Sequence, residues 1–275
     1  MNDDVKQALQ SLLSPKSDSH KGQNGRLLLI GGSKLFHAAS LWSLTVASRI
    51  VDLVHYCSIP ENNEIVEKAK EEFRNGIVIH RAEVEEYIKE DDVILIGPGM
   101  TRDSETEMLT TRLLKKYPEK QWVIDAGALQ MANPILIPKN AIVTPHKGEF
   151  DMLLKKLGID EMSEPNKTVH TVAMRLGCIV LLKGPVDVAS NGKEVVEIEG
   201  GNAGMTKGGT GDVLAGLIAA LSCTNDAWVS TVAGSYINKK AGDTLHEVVG
   251  PYFNASDLAD QIPRVMGNLL KSRIE

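Results

Sequence analysis

The stretch Gly200-Gly201-Asn202-Ala203-Gly204-Met205-Thr206-Lys207-Gly208-Gly209-Thr210-Gly211-Asp212 runs directly into Val213-Leu214-Ala215-Gly216-Leu217-Ile218-Ala219-Ala220-Leu221. Six glycines in thirteen residues, followed by an apolar run of helical length, read as a flexible loop feeding the first turn of a buried helix. The first N–H groups of a helix lack intrahelical partners and the macrodipole adds roughly half a positive charge, so this junction is an anion site. Glycines at 208, 209 and 211 let backbone donors approach a phosphate without Cβ interference. Asp212 is either an ordinary first-turn carboxylate or a base for a hydroxyl proton. Donors beside one carboxylate are what phosphoryl transfer to a hydroxyl requires. The dipole lowers an acid's pKa, so on this reading Asp212 is a weak base that takes its proton late.

Upstream, short apolar strands alternate with helices. Strands are expected at Arg26 to Ile30, Leu53 to Ser58, Ile77 to His80, Asp92 to Ile96, Trp122 to Ile124, Ala141 to Val143 and Cys178 to Leu182. Helices are expected at Phe36 to Val51, Glu61 to Arg74 and Asp103 to Lys116, and again after Phe150. Five of the strands end in polar or glycine-bearing turns: Gly31-Gly32-Ser33, Gly97-Pro98-Gly99, Asp125-Ala126-Gly127, Thr144-Pro145-His146 and Lys183-Gly184-Pro185-Val186-Asp187. The pattern describes an open, mostly parallel α/β sheet covered on both faces, with a ligand crevice beyond the strands' carboxyl ends. A hairpin interrupts it, Val186 to Ser190 and Lys193 to Ile198 around Asn191-Gly192. Helices at Asn225 to Val248 and Ser256 to Ser272 close the chain. We read one domain over residues 1–275, with 1–24 a polar N-terminal extension in which Ser14-Pro15 and Gly22 to Gly25 break structure.

With 43% hydrophobic residues, the 275-residue chain can build a large core, and with 4% aromatics that core is aliphatic. A net charge of −6 argues against nucleic-acid or anionic-membrane surfaces as partners. The acidic start Met1-Asn2-Asp3-Asp4 is no secretory signal, and the apolar run Val213 to Cys223 is too short to span a bilayer. Cys57, Cys178 and Cys223 are unpatterned, as in a reduced, cytoplasmic protein, and no His or Cys metal cluster is visible.

Taken together, GGNAGMTKGGTGDVLAG, TPHKGE, LLKGPVD, GPG and the early Gly-Gly-Ser strand end closely resemble the ADP- or ATP-dependent NAD(P)H-hydrate dehydratases, over about residues 25–270. The resemblance implies a ribokinase-like three-layer αβα sandwich. It also implies a repair reaction in which (6S)-NADHX or NADPHX is dehydrated to NADH or NADPH while ADP becomes AMP and phosphate. Carried over by position, Asp212 is the base and touches the hydrate, and Ala38, Gly99 and His146 line the hydrate pocket. Lys183, Gly184, Pro185, Val186 and Asp187 hold the nucleotide. Gly209, Thr210 and Gly211 form the anion hole, and Asn202 orders the glycine loop or a magnesium-bound phosphate. The implied cofactor is Mg2+ with ADP, or ATP, as phosphoryl donor. A homo-oligomer is expected, a tetramer by resemblance, with a separate epimerase for the other hydrate epimer.

This chain departs from the family where Asp125-Ala126-Gly127 replaces an Asp-Ala-Asp turn, where Phe36-His37-Ala38-Ala39 loses a glycine, and where Lys207 replaces a small residue. We expect Lys207 to reach a phosphate. Simpler readings stand beside these assignments: His146 and Asp125 as helix caps, Lys183 as a surface lysine with a buried stem, and Gly97-Pro98-Gly99 as a plain turn. The same fold also serves small-molecule kinases, and a non-catalytic nucleotide sensor would share the loop but have no use for Asp212.

Overall fold

The computed structural model describes residues 1–68 and 76–271. In chain order the elements are α1 (Asp3–Ser11), β1 (Arg26–Ile30), α2 (His37–Ala47), β2 (Leu53–Cys57), α3 (Pro60–Lys68), β3 (Ile77–Ile79), α4 (Val84–Glu90), β4 (Val93–Ile96) and α5 (Ser104–Lys116). There follow β5 (Gln121–Ile124), α6 (Ala126–Met131), β6 (Ile142–Val143), α7 (Lys147–Leu157), α8 (Pro165–Leu176), β7 (Ile179–Leu182), β8 (Asp187–Ser190) and β9 (Val195–Ile198). The last three helices are α9 (Thr210–Ser222), α10 (Ala227–Val249) and α11 (Ala255–Lys271). Residues 69–74 of the helix expected at 61–74, and Ser272 of the last one, lie outside the described residues.

Among the described residues one sheet of nine strands runs β3-β2-β1-β4-β5-β6-β7-β8-β9, parallel from β3 through β7 and antiparallel at β8 and β9. Alternation along the strands supplies two cores. Leu27 and Leu29 of β1 face a layer built from α1, α2, α9, α10 and α11, while Leu28 and Ile30 face one built from α4 to α8. This is the three-layer αβα sandwich. The strand order reverses between β1 and β4, where ligands of open α/β sheets collect. Gly32 N donates to Pro98 O at 2.6 Å across that switch point, binding the two glycine turns together.

One local reading needs correction, and two helices, α4 and α8, have no counterpart among the expectations. Residues 3–11 are helical, and Val5, Ala8, Leu9 and Leu12 pack into the core beneath α10. Their spacing is the i, i+3, i+4, i+7 stripe of an amphipathic helix, and burial of that stripe outweighs the polar flanks. Helix α4 is short, and its signal is two residues, Val84 and Ile88. Helix α8 begins at Pro165, and Thr168, Val169, Val172 and Ala173 form its buried face.

Candidate active site

The glycine loop forms as expected up to a helix start. Gly209 is the residue before α9, with φ 98, and a methyl group there would meet the Trp42 ring at 2.4 Å. Only glycine fits that position. Thr210 Oγ1 donates back to Met205 O (2.7 Å) and Lys207 O (2.9 Å), closing the loop on itself. Thr210 N also donates to Lys207 O at 3.4 Å, while the Gly211 N–H has no backbone acceptor among the described residues.

Asp212 lies in that first turn, half-buried, and Ser43 Oγ donates to its backbone carbonyl at 2.8 Å, tying α9 to α2. Its pKa is pushed up to about 7, first by burial and then by the Asp125 charge, with Lys183 pulling the other way. The expectation of a lowered pKa is therefore reversed. The dipole does act on this first-turn residue, but its stabilisation of the carboxylate is smaller than the cost of burying the charge. The consequence is a carboxyl group that exchanges its proton near neutrality.

Lys183 turns inward. Its Nζ donates to Asp125 Oδ1 at 2.8 Å, and Thr144 Oγ1 donates to the same oxygen at 2.9 Å. Burial works against the ammonium, but Asp125, Glu149 and Asp212 outweigh it and leave its pKa above the ordinary lysine value. Asp125 precedes α6 without capping it, because its carboxylate is taken by Lys183 and Thr144. Ala126 beside it has φ 44, strained for a residue with a side chain. His146 does cap α7: its Nδ1 accepts from Gly148 N (3.0 Å) and Glu149 N (3.3 Å), while Glu149 Oε2 accepts from His146 N (2.9 Å). It also lines the cavity of the expected nucleotide residues, which it does not share with Ala38 or Gly99.

That cavity, about 530 Å3, lies between the β7–β8 turn, the glycine loop, α9 and α10. Of the expected nucleotide residues, Lys183, Gly184, Pro185, Asp187, Asn202, Thr210 and Gly211 line it. Val186 points outward, 42% exposed, and Gly209 packs against Trp42, so neither is on the lining. A methyl group on Gly211 would stand 3.4 Å from Lys183 Nζ, so the helix start and the ammonium border one space. Asn202 orders the loop: its Oδ1 accepts from Gly204 N (3.0 Å) and its Nδ2 donates to Asp243 Oδ1 (3.1 Å). Ala38, Gly99 and Asp212 are not on this cavity's lining. Gly99, with φ 71, packs on Phe36 O and Gly32 at the β1–β4 switch point, and Ala38 is in the first turn of α2 beside it. Lys207 does not reach this space. Its Nζ donates to Pro251 O and sits over the Phe253 ring, 5.3 Å from the centroid.

Sequence reading missed Asn238 and Lys239 of α10 and Met205 and Leu214 on the cavity wall. Lys239, at the end of the uncharged run Ala227 to Asn238, was the available signal.

The arrangement of sheet, switch point and glycine-fed helix is the ribokinase-like fold. A ribokinase-like superfamily protein of Enterococcus faecalis superposes with TM-score 0.85 at 23% identity, covering 98% of this chain and 95% of its own. A Bacillus subtilis ADP/ATP-dependent NAD(P)H-hydrate dehydratase, co-crystallised with ATP/Mg2+, gives 0.82 at 22%, covering 96% and 97%. The chain belongs to the NAD(P)H-hydrate dehydratase family, whose model matches residues 27–264. It is 35% identical over 269 residues to the ADP-dependent (S)-NAD(P)H-hydrate dehydratase of Nitrosopumilus maritimus, with 92% of each chain covered. It is 37% identical over 271 residues to the bifunctional NAD(P)H-hydrate repair enzyme of Methanocaldococcus jannaschii, and spans about half of that relative's length, 51%.

Proposed function

We propose that this protein dehydrates (6S)-NADHX or NADPHX to NADH or NADPH, with ADP converted to AMP and phosphate. The observation that carries the reading is the start of α9, with Asp212 in its first turn and Gly211 facing the Asp125-paired Lys183 ammonium on the wall of a nucleotide-sized cavity.

The hydrate carries its hydroxyl at C6 of the nicotinamide ring. Hydroxide is a poor leaving group and phosphate a good one. Asp212 accepts the hydroxyl proton as the oxygen attacks the β-phosphorus of ADP, and the bond from phosphorus to the AMP oxygen breaks. The Gly211 N–H and the Lys183 ammonium take up the charge developing on the phosphoryl oxygens. The ring nitrogen lone pair then expels phosphate from C6, and loss of a C5 proton restores the C5=C6 double bond. The products are the reduced nicotinamide, AMP and phosphate.

Among the described residues no group of three or more His, Cys, Asp or Glu side chains is arranged to hold a metal ion. Asp125, Glu149 and Asp212 nonetheless act on the single Lys183 ammonium, so adding phosphates leaves the site strongly negative. This donor set fits magnesium carried on the phosphates, with Asp125 and Asp212 as bordering carboxylates. When bound, the metal supplies neutralisation of phosphate charge.

We extend the reading to a homo-oligomer, for which exposed Val248, Val249 and Tyr252 at the end of α10 offer apolar surface, and to a reducing, cytoplasmic setting, supported by three unpaired cysteines. Among the described residues no helix is long and apolar enough to cross a membrane. The S epimer is the substrate on this reading, and an epimerase activity would supply it from the R form.

The test is absorbance of reduced nicotinamide after magnesium and ADP, then ATP, are added to protein with chemically prepared NADH hydrate or NADPH hydrate. A nucleotide-dependent rise, lost in Asp212→Asn, is expected. No rise from protein that binds ADP, with a stable phosphoester formed on another alcohol, would make it a small-molecule kinase.

A further inference from the structure

Lys239 lies on α10 and is 5% exposed despite its charge. Its Nζ donates to three backbone carbonyls: Gly184 O at 3.0 Å and Pro185 O at 3.1 Å in the β7–β8 turn, and Gly200 O at 3.1 Å in the glycine loop. An ammonium has three donors, so these bonds exhaust it. The Asp187 carboxylate stands 3.2 Å away as counter-charge. Asp187 is itself fixed by Gly184 N at 2.9 Å and by Ser235 Oγ at 2.7 Å, one turn earlier on α10. One turn later on α10, Asp243 Oδ2 accepts from Gly201 N at 3.1 Å and its Oδ1 from Asn202 Nδ2 at 3.1 Å. Ser235, Lys239 and Asp243 thus form a row at i, i+4, i+8 that fastens two separate lips of the cavity to one helix.

A lysine is costly to bury unless its charge and donors are all matched, and here they are matched by loop backbone. The two cations of the cavity therefore divide their duties. Lys183, bonded among the described residues to Asp125, keeps donors for a ligand, whereas Lys239 has none left.

We propose that Lys239 is a positioning residue, which holds the β7–β8 turn and the glycine loop at the separation an adenine nucleotide needs and does not itself touch phosphate. The proposal rests on the nucleotide site of the dehydratase reading. It assigns the ammonium to the shape of the cavity, not to the charge the ligand meets.

The test is calorimetric titration of ADP with magnesium into wild type, Lys239→Met and Lys239→Arg, with Tm and steady-state kinetics on the hydrate alongside. For Lys239→Met the Kd and KM for ADP should rise about tenfold or more, with a larger change in KM than in kcat and the hydrate KM moving less than about twofold. Lys239→Arg should fall between, because it keeps the charge opposite Asp187 but cannot present three donors from one atom. A folded Lys239→Met with wild-type ADP affinity overturns the proposal. So does weakening of ADP and hydrate together in step with a lowered Tm. If Lys239→Met does not fold, Lys239→Arg and Asp243→Asn decide, and unchanged ADP affinity in both overturns it. A wild type that binds ADP but leaves both hydrates unconverted refutes the dehydratase reading alone, since the Kd comparison still reads the clamp. A wild type that binds no adenine nucleotide overturns both.

Discussion

At residue scale the balance that matters is between burial and the helix dipole at Asp212. Burial wins, and the pKa reaches about 7. The kcat/KM for the hydrate should therefore rise with pH and level off above about 7, as Asp212 ionises in the free enzyme. Asp125→Asn should move that inflection downward, because it removes a negative neighbour and frees the Lys183 ammonium; a pH–rate profile of the variant checks this. Asp212→Asn should lower kcat by ~10² to 10⁴-fold with ADP binding retained. The same variant should be more stable than wild type at alkaline pH. An acid whose pKa is raised by folding holds its proton more tightly in the folded state, so stability falls as pH climbs from about 4 to about 7 and is lowest above that window. Denaturant melts at pH 8 should show a gain on the order of 1–3 kcal/mol.

At the scale of elements, the site depends on close approaches between turns and helix starts. Gly127 in α6 lies against the Gly97-Pro98-Gly99-Met100 turn, and a methyl group there would come within 2.1 Å of Met100 O. A side chain at this position would have to displace the turn. Gly127→Ala should cost about 2 kcal/mol or more in chemical denaturation and weaken hydrate binding through the displaced Gly99. Gly209→Ala combines a positive φ with a collision against Trp42 and should lose nucleotide binding as the α9 start is displaced, measurable by titration with ADP.

For the molecule as a whole, the α1 stripe joins the N-terminus to the core under α10, the helix that also carries the cavity's rear wall. Leu9→Ala should destabilise by about 2–4 kcal/mol, with catalysis at saturating substrate little changed in the folded fraction, as melts and kinetics run together would record. ADP should raise the melting temperature, by the equivalent of about 2.7 kcal/mol at a hundredfold excess over Kd.

The sequence by itself determined the alternation of strand and helix, the glycine-fed start of α9, and the turns at Gly99, Asp125, His146 and Lys183, because these rest on local periodicity and on residues whose conformational range is narrow. It also carried the family's motifs. The tertiary structure alone decided what each polar group meets: that Lys183 pairs with Asp125, that Lys207 turns to Pro251 and Phe253, that Asp212 titrates near 7, and that Lys239 joins two loops to one helix. Desolvation and Coulomb energies depend on groups far apart in the chain and close in space. Asp125 and Lys183, or Gly200 and Lys239, become neighbours only once the sheet and α10 have brought them there.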